Sequence, residues 1–207
     1  MIEYRLVNNI DEIKDIPGLL FLLKTEEGYK AGNYIIEDPE AAGREYLEKV
    51  YNRVKGVPLE IAKTKHLTLR ELTKDDADKL LAIYKKPGVS KFLEDAVPEP
   101  EAFSDMLDGY RINYEFFDCG MWGVFENKTG RLIGECGVKY SSIDGKDCYE
   151  LGFALDDDFT GKGYAYEAAS ASLKYCFTLE LTDEIFAKVR KNNERSVRLL
   201  KKLVIIY

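Results

Sequence analysis

Two patterns of hydrophobic and polar positions follow one another along the chain. The first, GLLFLLKTEEGYKAGNYIIE, predicts two short strands around a turn rich in glutamate and glycine. The segment DPEAAGREYLEKVYNRVKG comes next, where Asp38 can cap a helix and Pro39 can occupy its first position. Apolar residues at helical spacing continue this helix: Tyr46, Leu47, Val50 and Val54. We therefore predict a small N-terminal α/β segment over residues 1–64, to which the sequence assigns no role.

The second pattern, over residues 65–207, alternates between strands and helices. HLTLREL predicts a strand, while TKDDADKLLAIYKK and PEAFSDMLDGYRINYEFF each have an apolar stripe at helical spacing. Three strands are expected at about 120–126, 131–140 and 148–155, and the short turns between them make these strands antiparallel. A glycine-containing loop, a helix, the strand EIFAKV and a last helix from about Asn193 follow. The order β-α-α-β-β-β-α-β-α predicts an α+β fold, a mixed sheet with helices on both faces.

Composition and charge exclude several classes of function. With 207 residues, of which 45% are hydrophobic and 12% aromatic, the chain can bury a sizeable core as soluble globular proteins do. Its apolar runs are too short to span a membrane and its first residues show no secretory signal, so we expect a cytoplasmic protein. The net charge of −7 argues against a nucleic-acid binder, because neutralising phosphates requires a basic surface, and it is compatible with a cationic amine substrate.

Histidine and cysteine usage narrows the chemistry further. The four cysteines lack C-x-x-C spacing and are interpreted as reduced thiols, mostly in the core. His66 is the only histidine and begins a predicted strand, where an ordinary edge residue is favoured over a catalytic one. Histidine, cysteine and carboxylate residues nowhere show ligand spacing, so the sequence predicts no metal site.

The stretch ALDDDFTGKGYAYEA contains two glycines, Gly161 and Gly163, between a predicted strand and a predicted helix. A dinucleotide fingerprint would need a third glycine where Tyr166 stands, and a phosphate-binding P-loop would need G-x-x-x-x-G-K-[ST]. Glycines at a helix N-terminus nevertheless let backbone amides approach an anion, and Lys162 adds a positive charge. From these residues alone, anion binding and a plain turn remain equal alternatives.

Two blocks of sequence resemble a known family. YELGFALDDDFTGKGYAYEA, residues 149–168, is similar to the acetyl-CoA-binding segment of GNAT-superfamily N-acetyltransferases, particularly the RimJ/RimL-like branch, whose signature is Q/R-x-x-G-x-G/A. KVRKNNERSVRLLKKL, residues 188–203, resembles the family segment N-x-x-S/A-x-x-L-x-x-K-L. The resemblance covers residues 66–203 and implies a GNAT-like, mostly antiparallel sheet. It also implies acetyl-CoA as cosubstrate.

The resemblance assigns roles to the residues around the glycine loop. In the family, the strand before the loop splays from its neighbour, so its free amides bind the pantetheine arm and polarise the thioester carbonyl. This places three residues beside the cosubstrate: Phe153, Ala154 and Leu155. The pyrophosphate would lie in the loop formed by Thr160, Gly161, Lys162, Gly163, Tyr164 and Ala165. Asn193 is expected to bind the cosubstrate arm, although an asparagine before a helix is also an ordinary cap.

Catalysis then needs a base for the amine and an acid for the leaving thiolate. Glu150 is the first candidate for the base, because it is a carboxylate in an otherwise apolar strand and the family often uses a glutamate near this position. Glu135 on the preceding strand is the second candidate. Ser196 falls on the family's serine position and is the candidate proton donor, since Leu200 stands where many relatives have a tyrosine acid.

Two departures from the family pattern affect the expected function. Asp158 occupies the first signature position, where a negative charge near a pyrophosphate is unfavourable unless it points away. The chain also stops at KKLVIIY, so the usual last strands are expected to be missing and a homodimer could cover the open sheet edge. The sequence thus favours N-acetylation of a small-molecule amine or a peptide N-terminus. A CoA-binding domain with impaired catalysis is the alternative, and a nucleotide-binding module is a weaker one.

Overall fold

The computed structural model describes residues 2–93, 97–143, 145–180 and 182–203. The chain divides into two compact units, Met1–Leu59 and Glu60–Tyr207. Part of the predicted IDGKD turn, Asp144, and the last four residues of KKLVIIY lie outside the described residues. Among the described residues, no helix has the length and apolar character needed to cross a bilayer.

The first unit is a four-stranded sheet with one helix. Its elements are β1 (Glu3–Val7), β2 (Leu19–Thr25), β3 (Gly28–Ala31), β4 (Tyr34–Ile36) and α1 (Arg44–Val54). The strands lie in sequence order, with β1 parallel to β2 and the later pairs antiparallel. Buried residues of the sheet and of α1 form a separate core: Leu20, Leu22, Ala31, Tyr34, Ile36, Leu47 and Val50.

The start of α1 differs from the sequence-based prediction. Asp38 was expected to cap this helix, but its carboxylate instead accepts a hydrogen bond of 2.9 Å from the amide of Glu40 in a local turn. The helix begins only at Arg44, after Gly43 adopts a φ of 79°. The prediction was wrong because a helical stripe does not indicate where the chain reverses before the first turn.

The second unit contains a six-stranded sheet. Its strands are β5 (Glu60–Lys63), β6 (Leu67–Arg70), β7 (Gly120–Glu126), β8 (Leu132–Ile143), β9 (Lys146–Leu155) and β10 (Ile185–Phe186). They lie in the order β10-β9-β8-β7-β6-β5, and every neighbouring pair is antiparallel except β10 with β9. The predicted mixed, mostly antiparallel sheet is therefore confirmed. Residues 60–63, which the sequence analysis placed in the N-terminal segment, form a strand of this sheet.

Helices of the second unit are α2 (Ala77–Tyr84), α3 (Pro87–Ser90), α4 (Pro100–Phe117), α5 (Tyr164–Thr178) and α6 (Glu194–Leu203). One core joins the sheet to α5 through buried residues that include Trp122, Ile133, Val138, Ala168 and Ala169. A second core joins the sheet to α2 and α4 through Leu80, Leu81, Phe103, Leu107 and Leu132. Helices cover both faces of the sheet and hold it in place. Strands β8 and β9 can therefore present side chains into a cleft at the sheet.

Candidate active site

β9 and β10 pair over a very short distance and then separate. Their parallel register joins only Ile185 with Tyr149 and Phe186 with Glu150, whereas β9 continues to Leu155. The amide of Asp156, just after β9, donates to a carbonyl of β8 at 2.8 Å. Because amide direction alternates along a strand, the N–H groups of Phe153 and Leu155 lie on the side that β10 has left. The separation of β9 from β10 is therefore the arrangement that the resemblance implied, in which the strand before the loop splays from its neighbour.

A cleft of about 1140 Å³ extends from this splay to the glycine loop. Every residue that the sequence analysis placed at the site lines the cleft, with the exception of Lys162. These lining residues are Glu135, Glu150, Phe153, Ala154, Leu155, Thr160, Gly161, Gly163, Tyr164, Ala165, Asn193 and Ser196. The chain therefore brings together two segments, around the loop and at α6, that are well separated in sequence.

The glycine loop leads directly into α5. Gly161 and Gly163 both lie in the left-handed region, with φ values of 82° and 80°, and Gly163 is the residue before the first turn of the helix. A Cβ built on either glycine meets no atom within 4 Å, so the space before the loop is open. Unpaired amides of a helix N-terminus facing open space form a site for an anion such as a pyrophosphate.

Two aromatic rings lie next to the side chain of Lys162. Its ammonium group is 4.3 Å from the ring centre of Phe159 and 5.7 Å from that of Tyr164. Tyr164 stacks against His66 at 5.7 Å between ring centres. The Nδ1 atom of His66 lies 2.8 Å from a carboxylate oxygen of Glu167, so the only histidine joins β6 to α5 outside the cleft.

Asp158 forms ion pairs with two basic residues. Its Oδ2 atom lies 2.7 Å from Nζ of Lys86 and 3.9 Å from Nη2 of Arg131. The same two cations bind the buried carboxylate of Asp156, Arg131 at 2.8 Å. The hydrogen bond from Lys86 lowers the pKa of Asp158. The acidic residue at the first signature position is thus neutralised by partners that the sequence did not indicate.

Glu150 lies on β9, facing the cleft, and its carboxylate already has two partners. Ser141 donates a hydrogen bond of 2.8 Å to Oε2 of Glu150, and Lys139 places its ammonium group 3.8 Å from the same atom. The register pairs Lys139 directly with Glu150 across β8 and β9, which explains the contact. One oxygen of the predicted base is therefore engaged by a hydroxyl and a cation.

Glu135 lies on the same face of the sheet, opposite Ala154, and is almost completely buried. Tyr84 and Tyr110 both donate hydrogen bonds to its Oε1 atom, the second at 3.2 Å. Burial raises the pKa of Glu135 to about 7, although both hydrogen bonds oppose this rise. Sequence reasoning missed both tyrosines as site residues, since each falls on an apolar stripe of its helix. The presence of tyrosine instead of phenylalanine on a buried stripe could have indicated both residues, because a buried hydroxyl needs a hydrogen-bond partner.

Asn193 and Ser196 stand at the start of α6. Oδ1 of Asn193 accepts a hydrogen bond of 3.3 Å from the backbone amide of Ser196, which is the geometry of a helix N-cap. Ser196 makes this contact through its backbone amide, and the residue lines the cleft. Arg195, next to it, places Nη1 3.5 Å from the hydroxyl of Thr160, so α6 contacts the glycine loop.

Comparisons with known proteins agree with this geometry. The family model of the acetyltransferase (GNAT) domain matches residues 66–203. The chain is 29% identical over 150 residues to the uncharacterised N-acetyltransferase p20 of Bacillus licheniformis, covering 70% of this chain and 82% of that protein. An acetyltransferase from Agrobacterium tumefaciens is similar in structure, with a TM-score of 0.60, 25% identity, and coverage of 69% and 81%. The ribosomal-protein-S5-alanine acetyltransferase of Vibrio fischeri shares the fold, with a TM-score of 0.60, 17% identity, and coverage of 70% and 82%.

Proposed function

The chain belongs to the GNAT acetyltransferase family, and from this premise we propose that it transfers the acetyl group of acetyl-CoA to a primary amine. The amine would belong to a small molecule or to a peptide N-terminus. The observation that carries the proposal is the single cleft that joins the open glycine loop to the splay of β9 and β10. A long, flexible cosubstrate with a pyrophosphate at one end and a thioester at the other fits such a cleft.

Binding of acetyl-CoA would use backbone groups more than side chains. The pyrophosphate would lie against the amides of residues 161–165, where the absence of a Cβ on Gly161 and Gly163 lets it approach closely. The pantetheine arm would run along β9, whose N–H groups at Phe153 and Leu155 face the open side. One of these groups would donate to the thioester carbonyl and stabilise the negative charge that develops on its oxygen.

The reaction also requires two proton movements. The amine nitrogen attacks the thioester carbonyl carbon after it loses a proton, and the sulfur of the leaving CoA gains one. Ser196 lines the cleft and is our candidate for the donor to sulfur. Glu150 and Glu135 both line the cleft, so an acceptor amine that enters it meets carboxyl groups at this end. Glu150 is our candidate for the base, and the contacts of its Oε2 atom with Ser141 and Lys139 hold the carboxylate in place.

We assign the reaction to the cytoplasm. All four cysteines are free thiols, and three of them are buried. Burial raises the pKa of Cys136 to about 12 and that of Cys119 to about 11, so these thiols are poor nucleophiles. Free thiols are typical of a reducing compartment. The raised pKa values of these two buried thiols also favour direct attack of the amine over an acetyl-cysteine intermediate.

The test is release of thiol from acetyl-CoA by the full chain with a panel of acceptors: n-butylamine, spermidine, tyramine and an alanine-initiated hexapeptide. We expect saturable thiol release with at least one acceptor, and an acetylated product by mass spectrometry. Saturable CoA binding without turnover on any amine would instead favour the alternative, a CoA-binding domain with impaired catalysis. Tight binding of ATP without binding of CoA would contradict both.

A further inference from the structure

A second cavity, of about 520 Å³, lies between α2 and the turn that joins β7 to β8. Lys79, Ala82 and Ile83 line it, and their spacing puts them on one face of α2. Most of its other lining residues come from β6, from β7 and from the turn into β8. We call this cavity the α2 pocket. It shares Asp156 with the larger cleft but none of the residues proposed to bind acetyl-CoA.

The lining of the α2 pocket carries an excess of positive charge, although the net charge of the whole chain is −7. Its charged residues are the cations Arg70, Lys79, Lys86 and Arg131 and the carboxylates Asp76 and Asp156. The two carboxylate side chains are only 3% and 0% exposed, whereas those of Arg70, Lys86 and Arg131 are 26%, 30% and 53% exposed. Lys79 is exposed and forms no ion pair with the described residues. A ligand that enters from solvent therefore meets the cations.

The two buried carboxylates hold three of these cations in place. Asp76 accepts two hydrogen bonds of 2.9 Å from Nη1 and Nη2 of Arg70. Asp156 accepts hydrogen bonds from Lys86 and, at 2.8 Å, from Nη2 of Arg131. Guanidinium and ammonium groups each have several N–H donors, so these bonds leave others for a ligand. The cations are thus positioned before any ligand arrives, which lowers the entropic cost of binding one.

A phosphate group matches this lining. Guanidinium groups bind phosphate oxygens through paired N–H donors, and ammonium groups add point charges. A phosphate dianion would balance the four cations and two carboxylates of the lining. Phe125, whose ring lies 4.0 Å from the guanidinium carbon of Arg70, adds apolar surface beside the charges. The volume is within the range of about 300–1,000 Å³ that is typical of small-molecule sites, so the phosphate can carry an organic group.

We propose that the α2 pocket binds the phosphate group of a small molecule and that a bound phosphate weakens the binding of acetyl-CoA. Lys86 and Arg131 are also the cations paired with Asp158, which is three residues from Gly161 of the glycine loop. A phosphate in the pocket competes with Asp158 for both cations and leaves the charge of this carboxylate less neutralised. Acetyl-CoA must weaken phosphate binding by the same factor. The site itself does not depend on the proposed function, whereas its effect on acetyl-CoA rests on it.

Isothermal titration calorimetry of the full chain with phenyl phosphate and with inorganic phosphate tests the site. We expect one phenyl phosphate per chain, with a Kd of about 1 mM or lower at low ionic strength. Equal Kd values for the two probes would identify the free ion as the ligand, and a lower Kd for phenyl phosphate would identify a phosphorylated organic molecule. Either result supports the site.

Lys79→Glu and Lys85→Glu form a matched pair of variants. Lys85 follows the last residue of α2, is exposed and belongs to the lining of neither cavity, and both substitutions change the net charge equally. Lys79→Glu should bind phenyl phosphate about tenfold more weakly or worse, because it puts a carboxylate against the ligand. Lys85→Glu should bind it like the unchanged chain. Circular-dichroism melting of both variants checks that they are folded.

The glycine loop is the other place where a phosphate could bind, and Gly163→Val separates the two sites. This variant should bind phenyl phosphate like the unchanged chain. Saturating phenyl phosphate should raise the Kd of acetyl-CoA about threefold or more in the unchanged chain. The same concentration should have little effect on Lys79→Glu if the α2 pocket carries the effect, whereas direct competition at the loop would persist there.

Distinct results would overturn each part. Failure of both probes to bind the folded chain saturably, or loss of binding in Gly163→Val with its retention in Lys79→Glu, overturns the α2 pocket as a phosphate site. An effect on acetyl-CoA that persists in Lys79→Glu overturns the coupling. A chain that binds phenyl phosphate through Lys79 but releases no thiol with any amine contradicts the proposed function and leaves the site intact.

Discussion

The ammonium group of Lys86 lies 2.7 Å from Oδ2 of Asp158. This ion pair joins the residue that precedes α3 to the segment between β9 and the glycine loop. Hydrogen bonds from Lys86 to Asp156 and Asp158 raise the pKa of the lysine, and the same contact lowers the pKa of Asp158. The ion pair therefore keeps this carboxylate, which is three residues from Gly161 of the proposed pyrophosphate site, bound to a cation.

Replacing Lys86 with methionine should free this carboxylate. We expect KM for acetyl-CoA to rise a few-fold, because Asp158 would then place its negative charge near the pyrophosphate, and the effect should be larger at low ionic strength. Initial rates at varied acetyl-CoA concentration measure the change. The double variant Lys86→Met, Asp158→Asn should recover most of the affinity. A double variant as weak as the single one would show that Lys86 acts through Asp156 or through folding.

Stability at different pH values tests the burial of Glu135 without any substrate. Its pKa is raised from 4.5 to about 7 in the folded state, so the folded protein binds a proton that the unfolded chain has already lost. The contribution of this group is fully present below about pH 4.5 and is lost as the pH rises towards 7. The loss is on the order of 3 kcal/mol.

Urea unfolding at several pH values can isolate this loss. Glu135→Gln has no such titration, so the free energy of unfolding of the unchanged chain should fall relative to that variant between pH 4.5 and pH 7. All other groups titrate alike in the two proteins and cancel in the difference. A difference that stays constant across this interval would contradict the raised pKa.

Tyr84→Phe should move the pH profile in a definite direction. The hydroxyl of Tyr84 stabilises the charged form of Glu135, so its removal raises the pKa of that carboxyl still further. In urea unfolding at several pH values, the loss of unfolding free energy should then continue to higher pH than in the unchanged chain. A loss that ends at the same pH or at a lower pH would contradict the effect of the Tyr84 hydroxyl on this pKa.

Ser196→Ala tests the proposed proton donor with little structural cost. Ser196 contacts Asn193 through its backbone amide, which alanine keeps, so the helix cap survives the substitution. We expect kcat to fall roughly 10-fold to 100-fold with little change in the affinity for CoA. Thiol release in the steady state measures the effect. The Asn193→Ala variant is the comparison, since it should weaken α6 and the binding of CoA together. An unchanged kcat in Ser196→Ala would remove this residue from the mechanism.

The sequence predicted the order of elements from His66 onward and the loop at Gly161 and Gly163, because periodicity and glycine placement are local properties. It could not predict the partners of Asp158 or of Glu135. Lys86 and Tyr84 lie far from them along the chain and meet them only when α2 packs on the sheet. The start of α1 was missed for a related reason, since the turn before Arg44 depends on the left-handed conformation of Gly43.

The strand register shows what the sequence could not about the two candidate bases, Glu150 and Glu135. Both are carboxylates in apolar strands, and Glu150 was placed first because the family often uses a glutamate near its position. Pairing of β8 with β9 places Glu135 opposite Ala154 and Glu150 opposite Lys139. Only the folded structure reveals that a cation lies beside the carboxylate of Glu150, whereas Glu135 is buried and bound by two tyrosines.

Binding of acetyl-CoA to Gly163→Val, compared with Gly130→Val, tests the central claim most directly. Both glycines have positive φ values, 80° and 67°, and open space around an added Cβ, so both substitutions strain the backbone in the same way. Gly130 belongs to the turn between β7 and β8, outside the cleft. By isothermal titration calorimetry on the folded proteins, we predict that Gly130→Val binds acetyl-CoA like the unchanged chain and that Gly163→Val binds it more than about tenfold more weakly. Equal affinity of all three proteins would contradict the assignment of the glycine loop as the pyrophosphate site.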